Sequence, residues 1–129
     1  MSQTSDPAAS SANRPLAEDH YYAGLDLMAE GNLSDAATAF QQSVAADGSF
    51  TEAMHGLARV LQDMARYDEA IAVAQRITAI DPDDVLARTS LSVCYQKKGM
   101  IAEAEAEGAQ ARVLGWKQQL KASPGKTDI

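Results

Sequence analysis

A period of 34 residues runs through this chain and constrains its fold more than any single residue does. Displacing the sequence against itself by 34 aligns GNLSDAATAFQQSVAADGS, starting at Gly31, with ARYDEAIAVAQRITAIDPD, starting at Ala65. The same shift brings in GMIAEAEAEGAQARVLGWK, starting at Gly99. Self-similarity at such a period is the signature of a stack of identical supersecondary units. The aligned columns have a physical reading. Gly31, Ala65 and Gly99 stand where one helix ends in a tight turn, a place for a small residue. Leu33, Tyr67 and Ile101 supply an apolar group just past that turn. Ala36, Ala70 and Ala104 are identical, as expected where two helices approach too closely for a larger side chain. Ala46, Ile80 and Leu114 close the second helix.

The segment before each turn repeats as well. His20, Ala23, Gly24 and Leu27 align with Met54, Leu57, Ala58 and Leu61, and with Arg88, Leu91, Ser92 and Tyr95. Steps of three, four and seven trace one face of a helix. Each unit therefore reads as an antiparallel helix pair: 17–30 with 34–46, 51–64 with 68–80, and 85–98 with 102–114. Pro82 lies past the end of a second helix and cannot continue it. Thr51, followed by Glu52, suits the start of the next helix.

On these residues the chain resembles the tetratricopeptide repeat family. The marks are the 34-residue period, the small residue at Ala58, the alanine at Ala70, and the IDP closing at Pro82. Repeat two matches best. Repeat one keeps Gly24, Gly31, Ala36 and Phe40 but has Gly48 in place of the proline. Repeat three keeps Tyr95, Gly99 and Ala104, but puts Gly108 in the slot of a large residue and Trp116 in that of the proline. The resemblance implies an all-α fold, a right-handed superhelical solenoid of three helix-turn-helix repeats. These occupy 17–118, as 17–50, 51–84 and 85–118. Before them, residues 1–16 are rich in Ser, Ala, Pro and Asn, with too few large apolar groups to offset the entropy of ordering, and read as a disordered tail. After them, 119–129 forms a C-terminal extension whose Pro124 and Gly125 favour fraying.

Composition limits the chemistry. Among 129 residues there is one cysteine, Cys94, so no internal disulfide or multi-cysteine metal site forms. On an apolar helix it reads as a small core residue. A net charge of −7 argues against nucleic acid as a partner. No apolar stretch is long enough to span a bilayer, so no membrane role is expected. The N-terminus lacks the charged start and apolar core of a signal peptide, which points to the cytoplasm. His20 and His55 fall in different columns and share no metal site. Glu103, Glu105 and Glu107 alternate with alanine, and their spacing spreads charge around a helix. Asp81, Asp83 and Asp84 sit at a repeat junction, where they suit helix capping. The glycines form no phosphate-cradling pattern. Nothing indicates catalysis, a cofactor or a metal.

What remains is recognition. Stacked helix pairs curve into a solenoid whose concave face is lined by the first helices. In the resembling family this groove usually receives a peptide or a tail of another protein. A separate face of each first helix, about 100° from the core stripe, supplies the lining. It reads Tyr21, Leu25 and Met28 in repeat one, and His55, Arg59 and Gln62 in repeat two. Repeat three contributes Thr89, Val93 and Gln96, with Lys97 alongside. The expected surface has an apolar end, a cationic middle and a mixed end. It fits either a peptide anchored near Tyr21 with an acidic group at Arg59, or the chain's own N-terminal tail packing on Leu25 and Met28. Some family members clamp the C-terminal carboxylate of heat-shock proteins with lysine, asparagine and arginine. At Tyr21, Leu25, His55, Arg59, Thr89 and Val93 only Arg59 suits that task, so no such clamp is expected.

A second surface comes from the C-terminus. If the last helix runs on through ARVLGWKQQLK, then Val113, Trp116 and Leu120 form a second apolar stripe with Ala109. That stripe either folds back on repeat three or contacts another subunit, making a homo-oligomer. Charge is also uneven: −6 over 17–50 and +3 over 85–129. This is either ordinary surface variation or a dipole that orients partners. The expected function is a non-catalytic adaptor that binds a peptide of a partner protein in the groove, with a self-assembling module as the alternative.

Overall fold

The structure, a computed structural model, describes residues 12–122. Among these residues the only regular elements are six helices: α1 (Arg14–Ala29), α2 (Leu33–Ala46), α3 (Thr51–Asp63), α4 (Tyr67–Ile80), α5 (Val85–Lys97) and α6 (Ile101–Ala122). Each helix packs against the next. The first helices α1, α3 and α5 also touch one another in sequence, so the three pairs stack as a solenoid.

The hairpin turns are three copies of one motif. Gly31 and Gly99 have φ of 81° and 78°, and Ala65 adopts 60°. In each copy the residue after the turn donates back five positions: Asn32 to Leu27 O, Arg66 to Leu61 O, and Met100 to Tyr95 O. The turn residues donate to Met28 O, Gln62 O and Gln96 O. This double bond pattern at a left-handed residue satisfies carbonyls that the helix end would leave open. The junctions between pairs repeat too. Asp47 and Asp81 are both extended, and the carboxylate of each accepts from the backbone N–H two residues on.

The core is built from the aligned columns. Ala36, Ala70 and Ala104 are buried, and Phe40, Met54, Leu61, Ile77 and Leu91 form its largest enclosed side chains. Phe40 is held between two glycines of neighbouring first helices. A Cβ on Gly24 would stand 2.7 Å from its ring, and one on Gly56 2.8 Å. Cys94 is fully buried, and desolvation pushes its thiol pKa up. It belongs to the core cluster.

Two boundaries differ from the sequence reading. α1 starts at Arg14, inside the 1–16 stretch assigned to the tail. Asn13 caps it by accepting from the Leu16 N–H, and Pro15 suits the first turn. Arg14 is tied down as well: its Nε donates to Asp47 Oδ2 at 2.7 Å, and its guanidinium lies 4.2 Å from the Phe50 ring centre. The tail's residues 1–11 lie outside the described residues. α3 starts at Thr51, as expected, with Phe50 at the cap position and no side-chain bond there. α6 does not end at Leu114 but continues to Ala122, because no proline interrupts it before Pro124. Residues 123–129 of the C-terminal extension lie outside the described residues.

Candidate functional site

The inner faces of α1, α3 and α5 enclose a groove of about 450 Å³. α1 contributes Tyr21 and Leu25. α3 contributes Glu52, His55, Gly56, Arg59 and Gln62, and α5 contributes Leu86, Thr89, Ser90 and Val93. The stacking explains the convergence, since residues one or two turns apart on each first helix share a side. A shallower hollow continues past Leu25 and Arg59 to Met28 and Asp63.

The lining is apolar at its two ends. At the repeat-one end Tyr21 packs on Phe50 and Phe40, with ring centres 5.2 and 6.0 Å apart. Tyr21, Leu25 and Met28 are half-buried against the core. They therefore roof repeat one while Tyr21 and Leu25 also line the groove and Met28 the hollow beside it. At the other end Leu86 is 58% exposed and Val93 half-buried.

The middle is polar, and its two basic side chains already have partners. His55 Nε2 lies 2.9 Å from Asp84 Oδ2, and the other oxygen of Asp84 accepts from the Ala87 N–H to cap α5. Arg59 Nε donates to both oxygens of Asp63 at 3.2 Å, one turn along the same helix. With Glu52 also present, the groove centre carries mixed charge in place of the cationic patch expected from sequence. Gln62 Oε1 lies 3.9 Å from Cys94 Sγ and spans the floor.

Not every expected residue converges here. Seven of them line the groove and Met28 lines the adjoining hollow. Gln96 instead lines a trough between α5 and α6, and Lys97 at the end of α5 is exposed. The C-terminal stripe does not fold back: Val113, Trp116 and Leu120 are 47%, 64% and 42% exposed. The tie that α6 makes beyond Leu114 is from Gln118 Nε2 to Asp83 O, at 2.8 Å. Among the described residues no group of three or more His, Cys, Asp or Glu side chains is placed to hold a metal ion. None of their helices is long and apolar enough to cross a membrane.

The family described as tetratricopeptide repeat matches residues 27–89 and 65–112, across the repeats that build this groove. The chain belongs to the tetratricopeptide repeat family. No curated protein matches it in sequence. Among solved structures, MamA superposes with a TM-score of 0.77 at 24% identity, over 84% of this chain and 62% of that one. The Yersinia enterocolitica type III secretion chaperone SycD, in complex with a peptide of the translocator YopD, gives 0.74 at 25% identity, over 84% of each chain. The second tetratricopeptide domain of Spaghetti (RPAP3), bound to the HSP90 peptide SRMEEVD, gives 0.76 at 19% identity, over 82% of this chain and 98% of that one.

Within the repeat frame, the lining residues that sequence reasoning passed over are legible in retrospect. Leu86 and Glu52 share one column, and Ser90 and Gly56 share another, each beside a column already chosen. Leu86 carried the clearest signal, an apolar residue outside the stripe of Leu91 and Tyr95. The ties of His55 to Asp84 and of Arg59 to Asp63 carried little. The first spans 29 positions, and the second is a four-residue step that looks like any helix-surface pair.

Proposed function

We propose that this tetratricopeptide repeat protein is a non-catalytic adaptor whose inner groove takes a peptide segment of a partner protein. The observation that carries the reading is Leu86, left 58% exposed with Val93 in a concave, three-helix surface. Apolar groups exposed in a groove rimmed by polar residues mark interaction sites. Solved relatives of the same fold hold peptides from YopD and HSP90, which supports the class of ligand. The partner segment is apolar at two points, one toward Leu25 and one between Leu86 and Val93, with polar groups facing His55 and Gln62.

The groove is not built as a carboxylate clamp. Arg59 is already engaged by Asp63, and no lysine lines the pocket. A peptide ending in Glu-Glu-Val-Asp is therefore expected to bind weakly, and amidating its terminus should change little. Tight binding lost on amidation would overturn that part of the proposal. The main test is affinity capture with wild type and Leu86→Asp/Val93→Asp, after circular dichroism shows both folded. Tyr21 is left intact because it supports the core. The variant should lose the specific partners; recovery of the same set would place binding on another face.

A second reading rests on the exposed α6 stripe. Val113, Trp116 and Leu120 present an apolar surface suited to another subunit. Sedimentation of wild type and Trp116→Ala across concentration distinguishes it: a stripe dimer dissociates in the variant.

A further inference from the structure

The open end of the solenoid carries a trough of about 580 Å³ between α5 and α6, floored by Ser92, Ala104 and Gly108 and walled by Glu105 and Arg112. Its position in the repeat frame identifies what it fits. Moving back 34 residues turns Ser92, Ala104 and Gly108 into Ala58, Ala70 and Ala74, which are buried beneath α5. Moving back 68 turns Ala104, Gly108 and Arg112 into Ala36, Phe40 and Val44, buried beneath α3. The trough is thus the seat of a first helix, and among the described residues no helix fills it.

The opposite end of the same chain offers such a helix. In α3 the residues seated on repeat one include Ala53, Gly56, Leu57 and Val60, and in α1 the same columns hold Asp19, Tyr22, Ala23 and Asp26. These four are exposed, Tyr22 to 59%. Size complementarity is inverted between the two ends. At the first internal junction the ring of Phe40 fills the gap left by Gly56. At the open ends the Phe40 column holds Gly108, which leaves the gap, and the Gly56 column holds Tyr22, which supplies the ring.

We propose that a second copy of this chain docks head to tail, with its α1 seated in the α5/α6 trough and Tyr22 over Gly108. Charge favours this direction, since 17–50 carries −6 and 85–129 carries +3. Helix pairs join antiparallel through their turn, so the start of the incoming α1 lies over the later part of α6. Asp19 there meets Arg112, in the slots of Ala53 and Val44. At the other end Asp26 meets Glu105, a like-charge pair that weakens the contact. The association is therefore reversible and salt-dependent, and it extends to chains or rings because the two surfaces differ. It is independent of the peptide groove and distinct from a symmetric contact through Val113, Trp116 and Leu120.

Sedimentation velocity of the full chain across concentration at low salt tests this. Wild type should show a rising weight-average sedimentation coefficient that falls on adding salt. Tyr22→Lys blocks the head and Ala109→Arg, on the exposed rim of the trough, blocks the tail. Each variant alone should be monomeric, and an equimolar mixture should form dimers and nothing larger, since one intact head meets one intact tail. Glu105→Lys should lower the concentration needed for association by about two- to fivefold, the range of one exposed ion pair. A wild type that stays monomeric when concentrated, association unaffected by Tyr22→Lys, or a mixture that stays monomeric would each overturn the proposal.

Discussion

Three residues in left-handed backbone set the geometry of every hairpin, and they are not equally suited to it. Gly31 and Gly99 adopt positive φ at no steric cost, whereas Ala65 holds φ of 60° with a Cβ. A left-handed L-residue costs roughly 1–2 kcal/mol, partly offset by the greater unfolded-state freedom of glycine. Ala65→Gly should therefore stabilise the protein by about 0.5–1 kcal/mol, and Gly31→Ala or Gly99→Ala should destabilise it by about 1 kcal/mol. Urea denaturation midpoints measure this; a destabilised Ala65→Gly would contradict the turn assignment. Asp47 is a second determinant at this scale. The hydroxyl and N–H of Ser49, then Arg14, bond its carboxylate and lower its pKa below the ordinary value. A lowered folded pKa contributes stability that is fully present above the unfolded value, near 3.9, and is lost as pH falls below that and through the folded value. Asp47→Ala should cost about 1–3 kcal/mol at neutral pH, and its deficit against wild type should shrink in acid. A deficit that does not change with pH would show that the charge is not what holds the junction.

At the scale of the helices, packing is governed by small residues at fixed places. Ala70 is 1% exposed between α3 and α4, so Ala70→Leu should overpack that contact at about 1–3 kcal/mol. An unchanged thermal melt would contradict the helix phase. Gly24→Ala should also destabilise despite the better helix propensity of alanine, because the Phe40 ring, fully buried, has nowhere to move. Adding Phe40→Leu should recover part of that loss, and a double-mutant cycle measures the coupling. Much of this level was legible beforehand. The columns of 31, 65 and 99 and of 36, 70 and 104 marked turns and contacts, and the four middle helices start and stop within one residue of the expected positions. The ends of the stack were less legible. Arg14 reads as tail until Asp47, 33 positions away, is beside it. α6 runs through Gly115 because the composition of ARVLGWKQQLK favours helix and no breaker follows until Pro124.

Across the whole molecule, recognition depends on how the three first helices converge. The period gave their inner face, and seven of the expected residues line one groove. Its electrostatics were not readable, because Asp63 and Asp84 engage Arg59 and His55 only once α3 and α5 are in place. Nor did sequence separate Tyr21, which braces the core, from Leu86 and Val93, which are free to bind. The central claim is that partners engage the inner face of α1, α3 and α5. The most direct measurement is an NMR titration of the isotope-labelled chain with the minimal peptide of a captured partner. Amide shifts concentrated around Leu25, His55, Leu86, Thr89 and Val93 are the predicted result. Shifts confined to the outer surfaces of α2, α4 and α6, with those groove amides unmoved, would contradict it.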